Sequence, residues 1–394
     1  MPWRQSRPVT ERLGFVQDVA RGQEAFAELC RRYGISRRTG YYWWRRFETE
    51  GIAGLEPRSK RPVHSPCETS AQVIQLLVAA RRRRPRWGPK KLLAVLARKF
   101  PELQLPAVST AARILKREGL IRKRRSQGRP ARVLVRSGWG TAPNDLWTAD
   151  HKGQFRLGNG TLCYPLTVVD SYSRYLLRVT ACSSTHHKEA REGFERAFRE
   201  YGLPERILTD NGTPFGSTAV AGLSRLSVWW LKLGIRPERI DPGCPEQNGQ
   251  HERMHRTLKA EATKPGRTNM KAQQRCLSAF RRDYNEERPH ESLNQDVPAK
   301  HYHKSTRPYG KETPGLDYPL FYERRQVRAE GQIKWRGERI FVSEILAGEP
   351  VGLEETADGV WNVYFGPVKI GVIHPGERRL RRPSPAGAKG RYMR

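Results

Sequence analysis

The run Arg206-Ile207-Leu208-Thr209, followed at once by Asp210-Asn211-Gly212, constrains this chain more than any other stretch. A short apolar, β-forming run reads as a buried strand, and Asn-Gly is a turn signal, so the carboxylate of Asp210 is presented at the strand's C-terminal end. Open α/β sheets keep their chemistry at that edge. The neighbouring segments alternate to match. Strands are expected over 145–155, 162–170, 175–181, 206–209 and 235–240, and helices over 187–201, 218–233, 252–261 and 271–287. The central region is therefore expected to be α/β.

Two further acids stand in chemically suggestive contexts. Asp150 closes Leu146-Trp147-Thr148-Ala149-Asp150, an aromatic and β-forming segment that delivers a carboxylate from within a strand. Glu252 follows the Pro/Gly loop 241–249 and sits near the start of a helical run. Three carboxylates on two strands and a helix start could hold two divalent cations roughly 3.5–4 Å apart, an arrangement that stabilises both the attacking and the leaving oxygen of a phosphoryl transfer. Oxygen donors of this kind suit Mg²⁺ or Mn²⁺. Asp170, before the turn at 171–173, reads as structural.

Trp147-x-x-Asp150, then Thr209-Asp210-Asn211-Gly212-x-x-Phe215, then Pro245-x-x-Asn248-Gly249-x-x-Glu252-Arg253 resemble, in order, the blocks of the RNase H-like DDE transposases of bacterial insertion sequences and of the retroviral integrases. The resemblance implies that Asp150, Asp210 and Glu252 are the catalytic acids and metal ligands, with two Mg²⁺ or Mn²⁺ ions per site. It implies an enzyme that binds the terminal inverted repeats of its element, cleaves there and joins the 3′-OH to target DNA. It also implies a homo-oligomeric synaptic complex on double-stranded DNA in a bacterial cytoplasm, at the nucleoid. By spacing alone Glu246 would serve as the third acid. The local pattern Asn-Gly-x-x-Glu selects Glu252 instead and assigns the extra residues to an inserted helical segment over 219–234. Arg256 and Lys259, four and seven places after Glu252, share its helix face; the resemblance implies that they touch the element's end.

Two other readings compete. His251-Glu252-Arg253-Met254-His255 is an H-E-x-x-H string, the pattern of zinc metalloproteases. Asn248-Gly249 just ahead would place His251 before the helix proper, and the string explains neither Asp150 nor Asp210, so both histidines read as polar helix residues beside DNA. The other alternative is a DNA-binding regulator with an inactive integrase-like core.

Charge favours nucleic acid over peptide. Lys and Arg outnumber Asp and Glu by 73 to 40, for a formal charge of +33, which points to a polyanionic partner. Residues 1–143 hold 32 basic and 10 acidic residues, so the N-terminal third is the main electrostatic footprint. The six cysteines form no C-x-x-C pair, which argues against a disulfide framework or a zinc ribbon and fits a reducing compartment. No run has the length and apolarity of a membrane span, so no membrane partner is expected.

The chain as a whole reads as multidomain. Residues 1–62 form an expected helix-turn-helix unit, with helices over 10–21, 23–33 and 37–49. Gly34 ends the second helix, Ser36 caps the third, and Arg37, Arg38, Thr39 and Tyr41 stand at the end that enters a major groove. Arg58, Lys60 and Arg61 follow in a Pro-rich linker suited to a phosphate backbone. A second helix-turn-helix unit of winged type is expected over 66–125, with helices over 71–84, 91–100 and 110–118, the last capped by Ser109. Its candidate DNA contacts are the Arg81–Arg84 run, Lys90, Lys91, Arg122, Lys123, Arg124 and Arg125. A basic linker over 126–140 leads to the RNase H-like core, 141–304. Six short strands over 318–378 suggest a small β-barrel, which the resemblance to the integrases implies is SH3-like, and 379–394 an unfolded basic tail.

Overall fold

The computed structural model describes residues 8–58, 68–121, 139–241, 243–310 and 312–382, and divides into two units, residues 1–69 and 70–394. In the first unit, α1 (Pro8–Arg21), α2 (Phe26–Arg32) and α3 (Arg37–Glu50) enclose Phe15, Val16, Leu29 and Cys30, and a 3-10 turn adds Leu55. Gly34 ends α2 at φ +64°, and Ser36 Oγ accepts from the Thr39 amide at 3.1 Å to start α3. Gly40 lets the two helices approach: a Cβ there would stand 2.7 Å from Cys30 Sγ.

The second unit begins with α4 (Ala71–Arg83), α5 (Pro89–Lys99) and α6 (Val108–Arg117), packed around Leu77, Trp87, Leu92, Leu96, Ala111 and Leu115. The cap of α6 is Ala107, so Ser109 falls inside the helix. No strand that could form a wing occurs among the described residues of this segment.

The α/β core follows. Its strands are β1 (Leu146–His151), β2 (Phe155–Arg156), β3 (Leu162–Asp170), β4 (Leu176–Cys182), β5 (Arg206–Thr209) and β6 (Arg236–Arg239). They form one sheet in which β3 lies antiparallel between β4 and the β1–β2 arm, while β1, β5 and β6 run parallel. The strand expected over 145–155 is thus interrupted at Lys152, which keeps a single ladder bond from its amide to the Pro165 carbonyl at 2.8 Å.

Helices cover both faces. α7 (His187–Tyr201) and α8 (Arg225–Lys232) bury Phe194, Phe198, Trp229 and Trp230 against Trp147, Ala149, Leu166 and Val168. On the other face, α9 (Gly249–Ala262) and α10 (Met270–Arg282) pack Met254, Leu258, Leu277 and Phe280 on Val169, Leu176 and Val179. Alternation along β1 and β3 produces this division, since successive side chains point to opposite faces. The helix expected over 218–233 is broken, because Ser224 and Ser227 form a capping box that starts α8 afresh at Arg225. The last turn expected of the helix over 271–287 widens into a π-helical turn at Asp283–Glu287.

Residues beyond 322 form β7 (Glu323–Gln326), β8 (Gln332–Trp335), β9 (Glu338–Phe341), β10 (Pro350–Ala357), β11 (Val360–Phe365) and β12 (Val368–Ile373). The expected closed barrel is not found. β12-β11-β10-β7 make an antiparallel sheet, and the β8–β9 hairpin pairs with itself. Beyond β7, Val327 exchanges backbone bonds with Gly348 and Glu349, and Gly331 at φ +73° turns the chain away into the hairpin. The hairpin is then held by side chains, Ile333, Trp335 and Ile340 packing with Val351, Leu353 and Val363. The same cluster takes in Val220, Leu223, Val228 and Leu231, so the inserted segment of the core is covered by the C-terminal sheet. No helix among the described residues is long and apolar enough to cross a membrane.

Candidate active site and nucleic-acid interface

Asp150 is the last residue but one of β1, and it leans to the face opposite the buried Trp147 and Ala149. Asp210 directly follows β5, the parallel neighbour of β1, so both acids stand at the C-terminal edge of the sheet. Glu252 lies in the first turn of α9, where the helix dipole favours a negative charge, and it is exposed.

The Asp150 carboxyl lies within the electrostatic reach of both other acids. Burial, then Asp210, and more weakly Glu252, push the Asp150 carboxyl up to about 7. Burial also raises Asp210, against the pull of the Gly212 amide and the Arg239 guanidinium. Asp210 Oδ1 is buried without a hydrogen-bond partner among the described residues. A partnerless buried carboxylate oxygen on the strand next to a second acid suits a hard divalent cation. Glu246 lies in the 3-10 turn Pro245–Asn248 that leads into α9.

Contrary to the sequence-based expectation, α9 starts at Gly249 and includes both histidines of the H-E-x-x-H string. They are buried rather than turned to solvent, at 1% and 6% exposure. Burial holds both rings below the usual histidine range, His251 at about 3. His251 Nδ1 is 2.9 Å from Thr148 Oγ1, and His251 Nε2 and His255 Nε2 lie 2.6 and 2.7 Å from Thr167 Oγ1. His255 Nδ1 faces Asp150 Oδ2 at 3.6 Å. A zinc-protease arrangement is not built here: both Nε2 atoms converge on a threonine hydroxyl, and Glu252 lies on the exposed side of the helix. The spacing of His251, Met254, His255, Leu258 and Ala262 is a single helical stripe, and that stripe was the sequence signal for their burial.

Asp170 is buried in a structural role, accepting from the amides of Asn144 and Ser173 at 2.8 Å each. Arg256 and Lys259 are exposed on α9, as Glu252 is.

On the first unit, Arg37, Arg38 and Tyr41 are exposed and Thr39 is half-buried at the start of α3. Tyr41 stacks on Phe26 with ring centroids 4.2 Å apart. Arg58 is exposed and pairs with Glu50. In the second helical unit several cations expected to face DNA have partners within the protein. Arg81 donates to the carbonyls of Trp87 and Leu120, and Arg84 pairs with Asp283 and Glu287 next to α10. Lys90 binds Glu291 at 2.9 Å, and Lys91 is buried enough that its ammonium falls to about 8. Charge counting could not reveal that Arg84 and Lys90 meet acids about two hundred positions away. Lys60, Arg61, Arg122, Lys123, Arg124 and Arg125 lie outside the described residues, as do most of the expected linker and tail.

Five family patterns match the chain. Residues 140–245 and 233–298 match two described as Integrase core domain. Residues 11–62 match a Helix-turn-helix domain and 39–115 a Homeodomain-like domain. Residues 323–378 match the C-terminal domain of IS481 family transposases. The chain is 27% identical over 280 residues to the insertion element IS407 uncharacterized 31.7 kDa protein of Burkholderia multivorans, covering 69% of this chain and 88% of that protein. It is 35% identical over 116 residues to the Gag-Pol polyprotein of baboon endogenous virus, covering 29% of this chain and 6% of that polyprotein. Among solved structures, the magnesium-bound catalytic core domain of HTLV-2 integrase aligns at 18% identity with a TM-score of 0.34, over 42% of this chain and 99% of that one.

Proposed function

We propose that this chain, an insertion-sequence transposase related to the retroviral integrases, cleaves DNA at the ends of its element and joins the freed 3′-OH to target DNA. In the first step water adds to the phosphodiester and the bond from phosphorus to O3′ breaks, leaving a 3′-OH. In the second step that hydroxyl attacks a target phosphodiester, and a new 3′-OH is released from the target strand. The observation that supports this reading is the placement of Asp150 and Asp210 on neighbouring parallel strands, with Asp210 raising the Asp150 carboxyl and its own Oδ1 buried and unpartnered among the described residues.

Asp150, Asp210 and Glu252 would hold Mg²⁺ or Mn²⁺, two ions per site, whose positive charge when bound stabilises the attacking and leaving oxygens. Around them the protein supplies position. The β1–β5 pairing fixes two of the carboxylates, and the packed stripe of α9 fixes the third. Arg256 and Lys259 would grip phosphates of the element's end, and Arg37, Arg38, Thr39 and Tyr41 would read its base edges from the start of α3. A synaptic homo-oligomer would bring two ends together.

Incubating the full chain with duplex DNA that carries an element end, in Mg²⁺ or in EDTA, and mapping the products tests this. Nicks at the end that need Mg²⁺ and vanish in Asp150→Asn and Asp210→Asn are expected. Tight end binding without any metal-dependent nick would instead identify a regulator with an inactive core.

A further inference from the structure

The hydrogen bonds around Thr167 determine which nitrogen of His255 is left to bind something. Thr167 Oγ1 lies 3.0 Å from the Asp150 carbonyl oxygen, which can only accept, so the single hydroxyl proton is committed there. The same Oγ1 is 2.6 and 2.7 Å from Nε2 of His251 and of His255. Having given its proton away, it accepts from both, and each ring therefore carries its proton on Nε2. A neutral imidazole protonated at Nε2 has a bare lone pair on Nδ1.

On His251 that lone pair accepts from Thr148 Oγ1 at 2.9 Å, nearer than that hydroxyl's other acceptor, the Val169 carbonyl at 3.4 Å. On His255 it is directed at Asp150 Oδ2, 3.6 Å away and past hydrogen-bond range. When Asp150 is ionised, two acceptors face each other across that gap, an arrangement that repels unless a proton or a metal cation lies between them. Two donor atoms each about 2.0–2.2 Å from one ion stand about 3–3.5 Å apart, close to the separation seen. Donor atoms of Asp150, His251 and His255 all lie within 4.8 Å of one another.

We propose that His255 Nδ1 is a direct ligand of the cation held by Asp150, which makes the site a mixed nitrogen and oxygen donor set. This rests on the reading that Asp150 binds a divalent cation. Imidazole favours Mn²⁺, Co²⁺ and Zn²⁺ over Mg²⁺, which takes oxygen donors almost alone. The other histidine of the string, His251, orients the ring of its neighbour through Thr167 and is not itself a ligand, because both its nitrogens are already engaged.

Mn²⁺ alone, added to the full chain and read by pulsed EPR for coupling to nitrogen-14, tests the proposal without any DNA or turnover. The unsubstituted protein should show the coupling of a directly bound imidazole. His255→Gln should lose that coupling and bind Mn²⁺ about 10- to 100-fold more weakly, while His251→Gln retains it. Mn²⁺ whose binding depends on Asp150, tested with Asp150→Asn, but which shows no nitrogen coupling would overturn the imidazole ligand and leave the carboxylate site standing. Mn²⁺ binding indifferent to Asp150→Asn would overturn the carboxylate site as well. The first measurement needs no substitution, so a variant that fails to fold leaves the question decidable.

Discussion

Thr167 stands directly across from Asp150 in the β1–β3 ladder, and its one hydroxyl meets the Asp150 carbonyl and both buried histidines of α9. A single oxygen thus ties the strand that carries Asp150 to the helix that carries Glu252. Packing on this sheet face and the geometry of the acids are therefore one matter.

Thr167→Val keeps the side-chain shape and removes that oxygen, leaving two imidazole N–H groups buried without an acceptor. Such a loss costs about 1–3 kcal/mol. Urea denaturation should show a destabilisation of that size. A midpoint unchanged from the parent would mean that the network adds nothing to stability.

Asp150 makes stability depend on pH when no divalent cation is present. Its carboxyl sits at about 7 against an ordinary value of 3.8, so the folded chain holds this proton more tightly than the unfolded chain. The contribution favours the fold fully below pH 3.8 and is lost as pH rises through about 7. Asp150→Asn cannot acquire the charge. It should therefore raise the melting temperature of the metal-free protein more at pH 8 than at pH 5, and added Mg²⁺ should narrow the difference at pH 8 by stabilising the parent. An equal effect at both pH values would contradict the raised carboxyl.

The contact of the second helical unit with the core can be weighed in the same way. Arg84 is 25% exposed and Asp283 18%, so their pair is only partly screened by water. A double-mutant cycle with Arg84→Ala and Asp283→Ala should give a coupling of about 0.5–3 kcal/mol, as for residues in one ionic network. A coupling near zero would show that apolar packing holds this contact without help from the ion pair.

Much of the core could be read from the sequence because its signals are local. The apolar run of β3 and the buried run of β5 mark strands, and β3, β5 and α7 occupy the expected residues. What was misread depends on contacts distant in sequence. His251 and His255 looked polar beside DNA because an H-E-x-x-H string draws attention to motif chemistry, while the helical stripe they share with Met254 and Leu258 places them inward. Arg84 looked like part of a DNA face because its acidic partners, Asp283 and Glu287, lie far along the chain. The C-terminal strands were legible one by one, but whether a sheet closes depends on ladder bonds between edges, which no single strand encodes.

Recognition by the first unit should separate into two classes of residue. Arg37→Ala or Arg38→Ala, at the exposed start of α3, should cost about 1–3 kcal/mol of discrimination between the element's end and random DNA. Arg58→Ala, outside the helix and paired with Glu50, should weaken both DNAs alike. Competition binding at fixed salt distinguishes these outcomes, and equal losses for all three variants would refute the division of roles.

The choice of acids is tested most directly by comparing Glu252→Gln with Glu246→Gln in Mg²⁺-dependent cleavage and strand joining at an element end. Glutamine keeps the shape of glutamate and removes its charge. The loss of one charge-stabilising contact in a preorganised site lowers the rate by about 10²–10³. Glu252→Gln is predicted to fall by at least that factor while still binding the end, and Glu246→Gln to keep most of the activity. An inactive Glu246→Gln beside an active Glu252→Gln would contradict the account.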